Sequence, residues 1–151
     1  MKTVLFIISF LICLNLNAQN QEEAQVKATI IEFFDAFHKQ DTVKLKAMAK
    51  DDIVLQSIAV NIDGKTILKS THYNEFVTSI ASIPKSSAFE EKLLGFNIKV
   101  DGKMANAWIP YEFWFNGNFS HCGVNSFQFI KEEATWKILY LVDTRRRDGC
   151  Q

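Results

Sequence analysis

Apolar residues recur every three or four positions in the first half of this chain and alternate with polar ones in the second. From Glu22 to Lys39 they fall at Val26, Ile30, Phe33, Phe34 and Phe37. That spacing makes one stripe on a helix. Asp41-Thr42 offers a cap for a short second helix, Val43 to Ala49, with Leu45 and Met48 inward. Asp51-Asp52 opens a strand, Ile53 to Ile62, and Asp63-Gly64 turns it back through Thr66, Ile67 and Leu68. Ser70 or Thr71 can cap a third helix, His72 to Ile83, which Pro84 stops. Strands are then predicted over Phe89–Val100, Met104–Phe115, Asn118–Ile130 and Trp136–Thr144. Asp101-Gly102, Asn116-Gly117 and Glu132-Glu133 are the turns between them. Helices first and a meander after indicate an α+β fold, with helices packed on a bent, mostly antiparallel sheet.

The N-terminus reads as an address. Lys2 precedes an apolar run, Val4 to Leu16, and Ala18 precedes a polar stretch. This is the pattern of a cleavable signal peptide, residues 1–18, followed by one domain over residues 19–151. The run is shorter than the roughly 20 residues of a membrane span. The expected protein is therefore secreted or periplasmic, with no membrane attachment after cleavage. Cleavage removes Cys13 and leaves Cys122 and Cys150, which are expected to form one disulfide in an oxidising compartment.

Composition narrows the function classes. Seventeen basic and 17 acidic residues cancel, so nothing argues for nucleic acid as a partner. Thirteen phenylalanines point to an aromatic core or an aromatic cavity. There is no CxxC and no pair of histidines at helical spacing, so no metal site is expected. Nor is there a GxSxG, an HExxH or a Gly-rich phosphate loop, and no cofactor is expected.

The order of elements resembles the nuclear transport factor 2-like (NTF2-like, SnoaL-like) superfamily over about residues 22–145. The resemblance rests on Ile31-Glu32-Phe33-Phe34-Asp35-Ala36-Phe37 with Asp41 and Leu45. It also rests on Asp51-Asp52-Ile53-Val54 and on the final strand Trp136-Lys137-Ile138. It implies a cone-shaped, cystatin-like fold. It does not imply an activity, because that superfamily hosts isomerases, dehydratases, hydrolases and binding proteins. Phe119 to Val124 with Asp143-Thr144-Arg145-Arg146 looks like exported bacterial members without an assigned activity. Compared with ketosteroid isomerase, Phe33 stands where the oxyanion-donating tyrosine would be, and Ser57 falls near the general base. That isomerase chemistry is not expected here.

Turn geometry supplies a register. A two-residue loop at Asn116-Gly117 sets Glu112 opposite His121 and Trp108 opposite Asn125. A last turn at Glu132-Glu133-Ala134 sets His121 opposite Arg145 and Gly123 opposite Asp143. Glu112, His121, Asp143 and Arg145 then share one face, flanked by Trp114 and Phe119. One β-bulge would shift the set. On this register His121 is a general acid/base whose pKa a carboxylate, Asp143 or Glu112, raises. Arg145 anchors an anionic group. Asn125, Trp108, Trp114, Tyr111 and Phe33 are candidate ligand contacts. The opposing interpretation is an ion-pair ladder on a solvated or partner-facing surface. His38 is read as a surface residue at a helix C-terminus, where a partly positive imidazole suits the dipole. His72 is read as a capping or surface residue.

Three functions remain. The first is a domain binding a small, largely apolar ligand in the cone. The second is a lyase, isomerase or hydrolase using His121 with Asp143 or Glu112. The third is an accessory domain acting through an exposed sheet face. Large apolar residues on both sheet faces also predict a homodimer.

Overall fold

The computed structural model describes residues 2–51 and 53–150, with side chains described from Gln19 onward. The side chains of the expected signal peptide, residues 1–18, lie outside the described residues. Among the described residues no helix is long and apolar enough to cross a membrane.

Helix α1 runs over Lys2–Lys39, and its stripe is buried: Val26 and Ile30 fully, Phe33, Phe34 and Phe37 nearly so. Gln40 ends it with a positive φ of 55°. The Asp41 N–H turns back to the Ala36 carbonyl at 2.8 Å, satisfying an open helix end. The Gln40 amide donates to the carbonyls of Ile80 and Ile83, both at 2.8 Å, tying α1 to the end of the third helix. Asp41 caps α2 (Thr42–Met48) through the Lys44 N–H at 2.9 Å, and Leu45 and Met48 point inward.

Strands β1 (Val54–Val60) and β2 (Thr66–His72) form the first hairpin. Helix α3 (Tyr73–Ser82) follows directly. Its N-cap is His72, with no side-chain capping bond, because Ser70 and Thr71 are committed to β2. The single strand predicted over Phe89–Val100 is two strands, β3 (Phe89–Leu93) and β4 (Asn97–Asp101). Both pair with β5 (Met104–Phe115), one beyond the other, and the Leu94 N–H reaches Pro110 O at 2.8 Å where they part. β6 (Asn118–Glu132) and β7 (Thr135–Arg145) complete the sheet.

The sheet order is β2-β1-β7-β6-β5-β3, with β4 also on β5. All pairs are antiparallel except β1 with β7, which return parallel. The helices cover one face. There Ala105, Ala107, Ile109, Phe127, Phe129, Trp136 and Ile138 meet the α1 stripe. The interior is aromatic: Phe127 contacts Phe33 and Phe34 edge-on, and Phe76 stacks on Phe37 with centroids 6.0 Å apart. At one end of the sheet Lys131 Nζ holds both carboxylate oxygens of Glu22 at 2.6 Å and lies over the Trp136 ring.

Candidate functional site

Strand β6 sets the register of the site, and a bulge in it decides which side chains meet. Phe115 pairs with Asn118 and Trp114 with Phe119, but Phe113 pairs with His121, so Ser120 is left as the extra residue. One extra residue reverses the faces beyond it. Glu112 therefore lies opposite Cys122, not His121. Trp108 lies opposite Ser126, and Ile109 takes the place beside Asn125.

The β6–β7 register departs from expectation by two residues. The turn falls at Glu133-Ala134, so Glu132 pairs with Thr135, and a further shift sits between Gln128 and Phe129. Asp143 thus pairs with Asn125, not Gly123, and Cys122 bridges to Arg146. Two one-residue offsets preserve the faces, so His121, Asp143 and Arg145 do share a face. It is the helix-covered face, which also carries Tyr111 and Phe113, and not the opposite one.

On that face the polar side chains form one cluster. The Arg145 Nε–H donates to Asp143 Oδ2 at 2.8 Å, and the Tyr111 O–H lies 3.0 Å from the same oxygen. Tyr111 can donate alternatively to the Thr144 carbonyl at 3.1 Å. On the other side of Asp143's neighbour, the Asn125 Nδ2–H donates to Glu91 Oε1 at 2.5 Å. Asn125 is 4% and Asp143 8% exposed. Two carboxyl groups therefore flank one buried amide. Burial pushes the Glu91 carboxyl up to about 8, opposed by the Asn125 hydrogen bond and reinforced by the Asp143 charge. Burial also raises the Tyr111 phenol well above its ordinary range.

The sequence does not single out Glu91, because the alternation of Phe89-Glu90-Glu91-Lys92 does not say which glutamate turns inward. Its pairing with Phe113 settles that. His38 holds the same strand. Its Nε2 accepts the Glu91 backbone N–H at 2.9 Å, which places the ring proton on Nδ1. Burial lowers the His38 pKa, so a neutral acceptor replaces the expected partly positive surface imidazole.

His121 also differs from expectation. Its Nδ1 lies 3.1 Å from Ser120 Oγ, and its ring stacks on Phe113 with centroids 5.1 Å apart. Burial and then the Arg145 charge push its pKa down, not up, with Asp143 only partly opposing. Glu112 instead accepts the Trp114 indole N–H at 3.0 Å on the outer face, where Lys92 lies over the Trp114 ring. Trp108 is on that outer face too, 54% exposed. Phe33 is 2% exposed and fills the interior. Of the candidate contacts, Asn125, Tyr111 and Arg145 come together, and Trp108, Trp114 and Phe33 do not join them.

Behind the cluster, Cys122 is bonded to Cys150, with S–S 2.07 Å. The Arg146 guanidinium donates to the carbonyls of Asp148 and Gly149, folding the tail against the outer face. An open groove of about 670 Å³ lined by Phe115, Asn116, Asn118, Phe119, Ser120 and Arg147 adjoins His121 through Ser120. Among the described residues no group of three or more His, Cys, Asp or Glu side chains could hold a metal ion.

No family model matches the chain, and no curated protein matches it. Solved structures do. A protein of unknown function from Mycobacterium tuberculosis superposes with TM-score 0.69 at 14% identity, covering 89% of this chain and 77% of the other. An NTF2-like protein of unknown function from Pseudomonas putida KT2440 gives 0.66 at 14%, covering 86% and 90%. A protein of unknown function with a cystatin-like fold from Nostoc punctiforme gives 0.63 at 12%, covering 83% and 91%. Identities this low speak to architecture, and with the bent sheet and its helical cover they show that the chain has the NTF2-like, cystatin-like fold.

Proposed function

We propose that this chain is an exported small-molecule-binding domain whose site is the polar cluster on the helix-covered face. The ligand sits at that cluster and not deep in the cone, because Phe33, Phe34, Phe37 and Phe127 already fill the interior. The observation that carries the reading is the Asn125 amide, hydrogen-bonded to Glu91 and paired across the ladder with Asp143. Among the described residues no protein group takes Glu91 Oε2 or the two terminal nitrogens of Arg145, whose side chain is 54% exposed. A few converging polar groups beside aromatic walls, here Phe113 and Tyr111, are what small-molecule sites are built from. The test is native mass spectrometry of the protein purified from an oxidising compartment, followed by denaturing release. A retained small molecule that Arg145→Gln and Asn125→Ala both lose supports the reading. A bare protein, or a ligand both variants keep, overturns it.

A second reading has one observation in its favour. Glu91 and Asp143 differ in environment, one buried against an amide and one against a guanidinium, and such a separation assigns acid and base roles in enzymes. Under it Glu91 takes the place expected of Glu112. The outer face, with Trp108, Ile58, Leu68 and Met104 exposed, supports a homodimer through that surface.

A further inference from the structure

We infer that the ligand of this site is a small monocarboxylate, held between the free nitrogens of Arg145 and the open oxygen of Glu91. This rests on the binding reading above and names its ligand class.

Charge and donor count select the ligand. Asp143 neutralises one positive charge by taking the Arg145 Nε–H. That bond uses one edge of the guanidinium and leaves the Nη groups, the pair that matches a carboxylate with two parallel bonds. Arg147 adds a second positive charge near the site, since it and Arg145 both disfavour the charged form of His121. His121 is accordingly neutral, and Glu91 keeps its proton at neutral pH. The groups facing Glu91 are His38 from α1, Tyr111 from β5, Asn125 from β6, and Asp143 with Arg145 from β7. Counting Arg145 and Arg147 against Asp143, the site carries a net charge near +1, which suits one anionic group. A protonated Glu91 donates its O–H to that group, and Asn125 holds the other Glu91 oxygen so that Oε2 faces it. The groove past Ser120 leaves an apolar or aromatic body somewhere to lie.

Ionisation of Glu91 would remove the donor and add a like charge. Binding of a carboxylate must therefore weaken as pH rises through about 8, and by more than that of a neutral amide, which meets no like-charge repulsion and can donate its own N–H to the ionised Glu91. Phenylacetate and its neutral isostere phenylacetamide separate these cases. Backbone amide shifts of the protein would be followed by nuclear magnetic resonance during titration at about pH 6.5 and about pH 9. The expected result is binding of phenylacetate with shifts centred on Gly123, Asn125 and Arg145, and an affinity about tenfold lower at the higher pH. Glu91→Gln, whose amide keeps a donor without ionising, should give the same affinity at both pH values. Arg145→Gln should lose about tenfold or more, in protein whose amide spectrum shows it folded. If phenylacetamide binds as well as phenylacetate, the carboxylate inference falls and the small-molecule site stands. If neither binds but a neutral molecule is retained on purification, the inference falls alone. If neither binds and none is retained, both fall.

Discussion

Tyr111 reaches Asp143 across a gap that Gly123 provides. Tyr111 and Gly123 are direct neighbours across the β5–β6 ladder. A Cβ built on Gly123 would come 2.9 Å from Tyr111 Cε1 and 1.7 Å from the Thr144 carbonyl oxygen. The phenol therefore lies over bare backbone, and the β7 chain closes in from the other side. Neither neighbour can withdraw cheaply, since the tyrosine is 1% exposed and the carbonyl belongs to the backbone.

Gly123→Ala should accordingly break the Tyr111–Asp143 bond and spread β6 from β7. The expected loss is about 1–3 kcal/mol, the size of an overpacked core. Chemical denaturation would measure it. Tyr111→Phe in the same background should then cost little more, because the bond it removes is already gone. Two additive losses would show that Gly123 does not serve Tyr111.

Glu91 gives stability a slope with pH. Its folded pKa, about 8, lies above the ordinary carboxyl range. Between that range and about 8 the folded chain keeps a proton that the unfolded chain has released. Stability is thus full on the acid side and falls as pH rises through the window. Glu91→Gln should flatten the slope, leaving the variant with a Tm roughly 3 °C or more above the parent at about pH 9. The histidines act in the opposite sense. His38 and His121 both have lowered pKa values, so their contribution is present above the ordinary histidine range and lost as pH falls. The Gln variant should therefore keep its acid-side decline.

The Cys122–Cys150 bond closes a loop across 28 positions and pins the tail behind the site. Cys150→Ser should cost about 2–4 kcal/mol. Hydrogen exchange should speed up at the Cys122 and Arg146 amides, which bond to each other's carbonyls at 2.9 Å. Exchange at Phe127 and Phe129, deep in the core, should change only with global stability.

The elements were legible because their signals are local. The α1 stripe, the Asp41 cap and the Asn116-Gly117 turn each need only a few neighbouring residues. The disulfide partners followed from a count of cysteines. The site was legible only in part, for a reason of scale. That His121 shares a face with Asp143 survived because two one-residue offsets in the β6–β7 ladder keep parity. Which face Glu112 occupies did not survive, because the single bulge at Ser120 has nothing to cancel it. Nothing in Phe119-Ser120-His121 announces that bulge. It arises from how β5 and β6 bend together. Glu91 was hidden for a related reason: β3 breaks before Gly95, and the inward glutamate of its pair depends on that break.

Ser120 also bears on how this molecule can change over generations. A surplus residue is a joint that can be taken out without rewiring what lies on either side. Losing Ser120 would leave Trp114 beside Phe119 and Phe113 beside His121, so the same neighbours would meet on an unbulged ladder. Length drift at this one position therefore spares the site. Elsewhere on the hairpin a single insertion or deletion reverses the faces, and only paired changes keep parity.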